Sequence, residues 1–538
     1  MPAAWKPAPL TAVVATVVAS VLATVLVALA CTSTAPRTTG RTEAPTPLVV
    51  LSWDGAGDVI VDRMLEDGHL PHLAALIERG VAADHSVTSY PSKTAVGHAQ
   101  LFTGAPPAVH GVTANEVPLL PPSEHTLLDH RRGFHAAQLS AEPLYVTAAK
   151  AGRSTVVLSA TQSYPPEPHV AGLAAAGVAP HLYLSLSGFE NRIARRHLWT
   201  AADATEPGEG WGDAATPGSR EVAFEVGDCG ADCRFFALAD AAGERVRLRR
   251  GSRRDVDDEL VLSAAAPAGL DRPLDDPFDP AAWSPPFRVR RGALQGNLYL
   301  RLFEPLPGEG FALYQRSVYA LDGAVPAADL AALLDACPGF HDDAVSHAGV
   351  GLFGRPMVDG GDGSAERRLV ELAAFDLASS ACSTRFAAER WAPEALFDYI
   401  PWSDSAGHEW WGALEPSARG HDAELAARLW PYYVRVFALQ DAWLGDIVAA
   451  MPGAVVALFS DHGMTPVDRY LHVEQVLADA GLLTWTAAGE TDLAHTKAVA
   501  PYPEFGVRVN GTEWRQGTVP PAEREAVLDA VEAALLAV

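Results

Sequence analysis

Short apolar runs that each end near a carboxylate are the clearest pattern in the chain. Runs of this length, rich in aliphatic and β-branched residues, are typical of strands buried on both faces of a parallel sheet. The carboxyl ends of such strands meet at one edge of the sheet, where ligands bind in α/β proteins. The pattern therefore predicts three parallel strands: residues 48–53 before Asp54, residues 396–401 before Asp404, and residues 455–459 before Asp461.

Helical periodicity between these runs supplies the crossovers that a parallel sheet needs. Residues 70–79, 143–151 and 421–451 show it most clearly. Residues 166–330 break the alternation with Gly and Pro punctuation, charged turns and short alternating apolar runs, which indicate β-structure. The sequence therefore predicts an α/β core, residues 48–165 and 331–538, that carries a β-rich insertion at residues 166–330.

The amino-terminal residues differ in kind from the rest. Residues 1–31 contain an uncharged run that ends in small residues before Cys31, which predicts a signal or lipoprotein-type segment. The run is about 21 residues long and would also span a bilayer, so a cleaved signal and a retained anchor both stay open. Residues 32–47 are rich in Thr and Pro and predict an extended tether. We expect an exported protein of the cell envelope or extracellular space, held at the membrane by a lipid or an anchor.

Charge narrows the class of partner. The 538 residues contain 40 Lys and Arg against 66 Asp and Glu, a formal net charge of −26. A surface this acidic repels polyanions, so we expect no binding of nucleic acid duplexes. The same carboxylates are able to collect divalent cations, which would let an acidic protein accept a phosphate ester.

The cysteines agree with export. Four of them lie beyond the amino-terminal segment, and an oxidising compartment pairs cysteines. Cys229 and Cys233 flank a three-residue turn that closes locally, which leaves Cys337 with Cys382. A zinc knuckle is the alternative for the close pair, but no second close Cys or His pair accompanies it. We therefore expect two disulfides.

A hydroxyl and two carboxylate–imidazole pairs follow the predicted strands. Thr94 stands in the first turn of a predicted helix, where free N–H groups attract an anion. Taken singly, each feature is more often a helix cap or a surface pair. Carboxylate with imidazole suits Zn²⁺ or Mn²⁺, and their joint position at strand ends predicts a metal centre. The pairs are Asp404 with His408 and Asp461 with His462.

These residues resemble the alkaline phosphatase superfamily, and most closely its type I phosphodiesterase and nucleotide pyrophosphatase branch. The resemblance implies an alkaline-phosphatase-like three-layer sandwich around a mostly parallel sheet. It also implies a hydrolase of phosphodiester or phosphoanhydride bonds, acting on a nucleotide or a lipid headgroup through a phosphothreonine intermediate. The matching stretches are LSWDGAG around Asp54, YPSKTAVGHAQLFTG around Thr94, HGVTANE at 110–116, DSAGH at 404–408 and SDHGM at 460–464.

The resemblance further implies a role for each site residue. Thr94 would be the nucleophile, with Lys93 beside it. Two divalent metals are implied, Zn²⁺ foremost and Mn²⁺ as the alternative. The ligands would be Asp54, Asp461, His462 and Thr94 for one metal, and Asp404 and His408 for the other.

Two positions depart from the expected pattern. Gly97 stands where an Asn that donates to the phosphoryl oxygen is expected, and Asn115 would have to replace that donor. The second metal needs a further His, and after His462 only His472 and His495 remain. We expect His495, in an Ala-His-Thr segment, to complete the site, with an exposed surface position as the alternative.

Other functions stay open at this level. A phosphatase or a lipid-headgroup phosphotransferase of the same superfamily fits the same motifs. A surface-binding protein that kept the fold but lost catalysis through a broken second metal site is the alternative from another class. The adjacent Trp410 and Trp411 would either stack on a substrate or belong to the core.

Overall fold

The computed structural model describes residues 45–538 except 190, 269, 271, 275, 276, 278, 341–350 and 502–505. The predicted signal or lipoprotein-type segment, with Cys31, and nearly all of the predicted tether lie outside the described residues. Within the described part, none of the helices has both the length and the apolar character needed to cross a membrane.

Most secondary structure is short, apart from two helices of 28 residues. The helices are α1 Asp58–Glu66, α2 Pro71–Arg79, α3 Thr94–Thr103, α4 Pro107–His110, α5 Leu144–Lys150, α6 Glu167–Ala175, α7 Ala327–Ala336, α8 Ser364–Trp391, α9 Trp402–Leu414, α10 Ala423–Ala450, α11 Val473–Asp479 and α12 Arg524–Leu536.

The strands are β1 Leu48–Trp53, β2 Glu116–Pro118, β3 His130–Arg132, β4 Thr155–Leu158, β5 Tyr183–Ser187, β6 Arg192–Ala194, β7 His197–Trp199, β8 Arg220–Glu225, β9 Arg234–Ala239, β10 Arg245–Arg250, β11 Leu260–Ser263, β12 Phe287–Arg291, β13 Leu294–Leu298, β14 Leu300–Phe303, β15 Ala312–Gln315, β16 Val318–Tyr319, β17 Asp322–Gly323, β18 Ala395–Ile400, β19 Val455–Phe459, β20 Ala498–Val499 and β21 Arg508–Val509.

A six-stranded sheet organises the α/β core, in the order β17-β5-β4-β18-β1-β19. All its pairings are parallel except that of the short edge strand β17. Strand β1 lies between β18 and β19, with Leu48 in register with Ala395 and Val455. The three strands predicted from sequence are therefore neighbours, and their carboxyl ends share one edge. The predicted mixed α/β class is confirmed.

Alternate residues of β1 face two separate apolar layers. Val49, Leu51 and Trp53 belong to a large cluster that includes residues of the long helices α8 and α10. Val50 belongs to a second cluster with Phe102 of α3 and residues of α5. Side chains of a strand point alternately to the two faces of a sheet, so helices cover both faces of the central sheet. The core therefore has three layers.

Antiparallel sheets fill the chain between β6 and β16 and have an apolar core of their own. They comprise a four-stranded sheet, a three-stranded sheet and two-stranded pairs. Strands β5 and β17 fall within residues 166–330 but belong to the central sheet, because β5 pairs in parallel with β4. The short alternating sequence of β5 carries no local sign of this long-range pairing. Both expected disulfides, Cys229–Cys233 and Cys337–Cys382, are present, which confirms that prediction.

Candidate functional site

Three chain segments meet at the carboxyl edge of the sheet. Asp54 directly follows β1, Asp461 lies two residues beyond the end of β19, and Asp404 stands in the first turn of α9, shortly after β18. Helix α9 begins at Trp402, so Asp404 and His408 lie one turn apart on the same side of that helix. The structure thus brings together the carboxylates that the sequence places at three separate strand ends.

One imidazole lies at the centre of these groups. His462 Nε2 lies near the nucleophile candidate and all three carboxylates, while Nδ1 of the same ring is 2.9 Å from the Gly463 carbonyl oxygen. The distances from Nε2 are 3.2 Å to Thr94 Oγ1, 3.3 Å to Asp54 Oδ1, 3.3 Å to Asp461 Oδ2 and 4.0 Å to Asp404 Oδ1.

The carboxylates form a cluster that has a surplus of acceptors. Asp54 Oδ1 and Asp404 Oδ1 are buried and accept no hydrogen bond from any residue that the structure describes, whereas Asp461 Oδ2 is buried with imidazole nitrogens of His98 and His462 at 3.1 and 3.3 Å. Buried polar atoms nearly always have partners, so such oxygens in one place are suited to binding a cation. We call Asp54, Asp404 and Asp461 the carboxylate cluster.

The donor set fits a divalent metal. Ligand atoms of Asp54, Asp461 and His462 all lie within 4.8 Å of one another. Two carboxylates and one imidazole are ligands that Zn²⁺ and Mn²⁺ accept. His408 lies beside the same centre, with Nε2 3.5 Å from Asp404 Oδ1 and its side chain half exposed. The chemistry of these side chains therefore matches the metal centre expected from sequence.

Burial and mutual repulsion set the protonation of the carboxylate cluster. Burial raises the pKa of Asp54 well above its usual range, and the charges of Asp461 and Asp404 raise it further. Burial likewise raises the pKa of Asp404, against the opposing charges of His408 and His462. Burial also acts to raise the pKa of Asp461, but the neighbouring His98 and His462 outweigh it and the net shift is downward. Asp461 is thus the carboxylate most readily kept ionised.

Thr94 begins helix α3, with its hydroxyl directed at His462. The preceding Lys93 has an extended backbone, and its charge lowers the pKa of Asp404. Asn115 supports the same helix end, because its Oδ1 accepts a hydrogen bond of 3.0 Å from the Ala95 amide. The helix end, its hydroxyl and a side-chain amide therefore lie together, as an anion site requires.

Gly97 stands in α3 with its amide bonded to the Lys93 carbonyl oxygen. A Cβ atom at position 97 would lie 2.5 Å from the Asp461 carbonyl oxygen, so this position has no room for a side chain. Gly55 is equally constrained, with φ +65° and a Cβ position 2.8 Å from Asp404 Cα. The two glycines let backbone segments approach closely around the cluster.

Two buried residues that the sequence analysis did not single out contact the cluster. The Tyr399 hydroxyl donates to Asp54 Oδ2, and His98 Nδ1 lies 3.1 Å from Asp461 Oδ2. A signal for His98 existed, since it follows Thr94 by one helical turn and so lies on the same helix face. Tyr399 had no comparable signal, because its contact depends on the pairing of β18 with β1.

The described contacts of His495 are with neighbouring residues. It ends a short 3₁₀ helix, its Nδ1 is 2.8 Å from Asp492 Oδ2, and 72% of its side chain is exposed. None of these contacts reaches Asp404 or His408. Trp410 and Trp411 are buried, and both rings pack near Tyr433 in the core.

Comparison with protein families gives a match on these same segments. A model of the family described as type I phosphodiesterase/nucleotide pyrophosphatase matches residues 48–216 and 362–538, which is more than half of the chain. The matched ranges include every motif quoted above. They leave out residues 217–361, where most of the antiparallel sheets lie.

Similarity to individual proteins is more local. Two ectonucleotide pyrophosphatase/phosphodiesterases of Caenorhabditis elegans are 45% and 39% identical over 71 residues, which is 13% of this chain. The aligned part covers only 8% and 9% of those proteins. Two crystal structures of phosphonoacetate hydrolase from Sinorhizobium meliloti, with phosphonoformate and with phosphonoacetate, align with 82% of this chain and 64% of theirs. Both have 14% identity, with TM-scores of 0.31 and 0.30.

Proposed function

The chain belongs to the type I phosphodiesterase/nucleotide pyrophosphatase family, and from this premise we propose that it is a metal-dependent hydrolase of phosphodiester or phosphoanhydride bonds. The family match confirms the resemblance inferred from the motifs. One observation carries the proposal to this chain: the Thr94 hydroxyl, at a helix amino terminus, lies within 3.2 Å of an imidazole that also contacts the buried carboxylate cluster.

The chain's residues divide into two sets of ligands. Asp54, Asp461 and His462 would hold one divalent cation, of which Zn²⁺ is the first candidate. Asp404 and His408 would hold a second, with His495 as the expected further ligand. When bound, such cations neutralise phosphoryl oxygens and make a nearby hydroxyl a better nucleophile.

The residues around Thr94 would bind and cleave the ester. The amides at the start of α3 other than that of Ala95, together with the Asn115 amide nitrogen, would hold the phosphoryl oxygens. Thr94 Oγ1 would then lose its proton to solvent and form a bond to phosphorus, while the bond from phosphorus to the oxygen on the opposite side breaks and the leaving group departs with that oxygen. Water would cleave the resulting phosphothreonine and restore the hydroxyl. Lys93, beside the nucleophile, adds positive charge where the phosphoryl group would lie.

Gly97 cannot donate a side-chain hydrogen bond to the phosphoryl group, but it allows close packing beside the metal ligands. Because it bears no side chain, the turn of α3 that follows Thr94 can approach the Asp461 backbone closely. The contact supports a positional role for Gly97 next to the metal ligands. Asn115 is then the side-chain donor best placed for the phosphoryl group.

We further propose that the protein acts outside the cytoplasm. The two disulfides support this location because such bonds persist in oxidising compartments. The amino-terminal segment would supply a lipid or an anchor. A small phosphate ester, either a nucleotide or a lipid headgroup, would then be taken from outside the membrane.

The test is a substrate screen on the metal-free purified protein. Bis(p-nitrophenyl) phosphate, ATP and p-nitrophenyl phosphate would be incubated with and without added Zn²⁺ or Mn²⁺, and Asp461→Asn would serve as the control. Metal-dependent hydrolysis of the diester or of ATP supports the proposal. Hydrolysis of the monoester alone would indicate a phosphatase. Absence of all hydrolysis in the zinc-loaded protein would favour a surface-binding protein.

A further inference from the structure

A single buried imidazole joins the nucleophile helix to the carboxylate cluster. His98 is fully buried and makes polar contacts with three different segments. Its Nδ1 is 2.9 Å from the Thr94 carbonyl oxygen and 3.1 Å from Asp461 Oδ2, and its Nε2 is 2.8 Å from Ser52 Oγ. The ring therefore connects β1, the first turn of α3 and the loop after β19.

These partners assign the ring's hydrogen. Nδ1 faces two oxygens that only accept, so it carries the hydrogen, whereas Nε2 faces a hydroxyl that is able to donate. The hydrogen-bond partners of His98, Ser52 at Nε2 and Asp461 at Nδ1, are thus of the same kinds as in the Ser-His-Asp triad of serine hydrolases. All three are almost completely buried, with exposures of 0%, 0% and 2%, so no substrate reaches Ser52. The arrangement is suited to holding groups in place and not to nucleophilic attack.

The contacts on Asp461 show what His98 orients. The Gly55 amide donates to Asp461 Oδ1 over 3.2 Å, while His98 lies against Oδ2. The carboxylate is therefore held from both sides, and its Oδ2 also lies 3.3 Å from His462 Nε2. Gly97, the residue before His98, lies directly against the Asp461 backbone. The same turn of α3 thus contacts both the main chain and the side chain of Asp461.

We propose that His98 is a positioning residue that couples the Thr94 helix to the Asp461 carboxylate, so that nucleophile and metal ligand keep one fixed relation. This inference rests on the proposed function for its catalytic meaning, but its effect on metal binding does not depend on turnover. Residues that orient metal ligands in this way typically change metal affinity 10- to 100-fold when they are replaced.

Two amide substitutions separate the two sides of the ring. In His98→Asn the side-chain amide takes the place of Nδ1, so it retains a donor toward Thr94 and Asp461 but loses Ser52. In His98→Gln the amide takes the place of Nε2, so it retains Ser52 but loses Asp461. Ser52→Ala removes the far contact alone. His169→Asn is the matched control, because His169 is also buried but bonds to the Gln162 carbonyl oxygen and packs on Tyr145.

The measurement is the affinity of the metal-free protein for Zn²⁺, by competition with a chromophoric chelator, with circular dichroism as the check on folding. We expect His98→Gln to bind Zn²⁺ about 10- to 100-fold more weakly than the wild type. His98→Asn, Ser52→Ala and His169→Asn should stay within about threefold, because the contact to Asp461 or the whole site is preserved. In a hydrolysis assay of the zinc-loaded proteins, the kcat of His98→Gln should fall by a larger factor than its KM changes.

Equal zinc affinity in His98→Gln and the wild type would overturn the proposal, as would a larger loss in His98→Asn than in His98→Gln. If the His98 variants do not fold, Gly97→Ala tests the same coupling, because its methyl group must move α3 away from Asp461. An unchanged zinc affinity in Gly97→Ala would then contradict it. Weak zinc binding in His98→Gln together with no hydrolysis by the wild type would leave the coupling standing and reject the proposed function.

Discussion

Two groups of carboxylates in this molecule have opposite surroundings. In the carboxylate cluster, one oxygen each of Asp54 and Asp404 is buried with no hydrogen-bond donor among the described residues. Where helix α8 packs against the antiparallel region, three carboxylates meet arginines instead. The pairs are Glu371 with Arg301, Asp376 with Arg316, and Glu309 with Arg368.

We call these three ion pairs the seam. Arg301 Nε is 2.7 Å from Glu371 Oε1, and Arg368 binds Glu309 through two bonds of 2.8 Å. Removing one partner of such a pair leaves a buried charge without compensation. The seam joins α8, which lies in the stretch that the family model matches, to residues in the stretch that it leaves out.

The partners of a buried carboxylate indicate whether it has a structural or a ligand-binding role. A carboxylate whose oxygens are all satisfied by the protein stabilises the fold or fixes its geometry. A carboxylate that is buried with spare acceptors costs free energy when it is ionised, and a bound cation or a proton relieves that cost. We therefore assign the seam to the architecture and propose the carboxylate cluster as the functional site.

Removal of the Thr94 hydroxyl next to the carboxylate cluster should produce the largest effect of all, a loss of activity, because it removes the attacking group and leaves every charge in place. We expect Thr94→Ala to lower kcat at least about 10³-fold, since a lost covalent nucleophile costs several orders of magnitude. Zinc affinity and melting temperature should stay near the wild-type values. Thr94→Ser, which keeps a hydroxyl, is the control, and residual activity above a tenth of wild type in Thr94→Ala would favour direct attack by water.

Neutralising one partner in the seam should cause a large loss of stability. Asp376→Asn leaves Arg316 buried and charged, which typically costs about 3–5 kcal/mol. Chemical denaturation measures the change. Asp446→Asn is the matched control, because Asp446 pairs with Arg385 at the surface and such pairs contribute about 0–1 kcal/mol. Equal losses in the two variants would remove the distinction between the seam and the surface.

Metal should stabilise the protein through the carboxylate cluster alone. With Zn²⁺ at 100 times its dissociation constant, the free energy of unfolding should rise by about 2.7 kcal/mol. Asp461→Asn should lose most of this gain, whereas Asp376→Asn should keep it on its lower baseline. Thermal melts with and without Zn²⁺ make the comparison. A gain that survives in Asp461→Asn would mean that zinc binds elsewhere.

The smallest expected effect is a gain in stability: replacing Asp54 in the carboxylate cluster should stabilise the metal-free protein, whereas replacing Asp376 in the seam should destabilise it. The raised pKa of Asp54 in the fold means that its contribution to stability is present at low pH and is lost as pH rises toward the folded pKa. Asp54→Asn, which is neutral at all these pH values, should therefore stabilise the metal-free protein at pH 8, where wild-type Asp54 is most ionised.

The same variant should stabilise less at pH 5, where wild-type Asp54 holds more of its proton. Denaturation of the metal-free proteins at the two pH values measures the difference. Destabilisation by Asp54→Asn at pH 8 would contradict the view that the cluster is strained without metal.

The sequence alone was enough to predict three of the central strands, the long helix α10 and the three residues of the carboxylate cluster. Each depends on local order along the chain: an apolar run predicts a buried strand, and the residue after it lies at the sheet edge. Asp54 and Asp461 follow from that rule. The two disulfides followed as well, because four cysteines with one close pair allow a simple assignment.

The strand pairing and ion pairs between residues far apart in the chain are known only from the tertiary structure. Strand β5 resembled the insertion until its pairing with β4 placed it in the central sheet. The partner of Arg301 lies 70 residues away, and no local pattern shows which charge a buried arginine will meet. The sequence likewise offered Gly97 as a missing donor, whereas its contact with Asp461 is a matter of backbone distance. Sequence patterns specify the surroundings that each residue prefers, but hydrogen bonding and close packing depend on distances of a few ångströms that only the folded chain establishes.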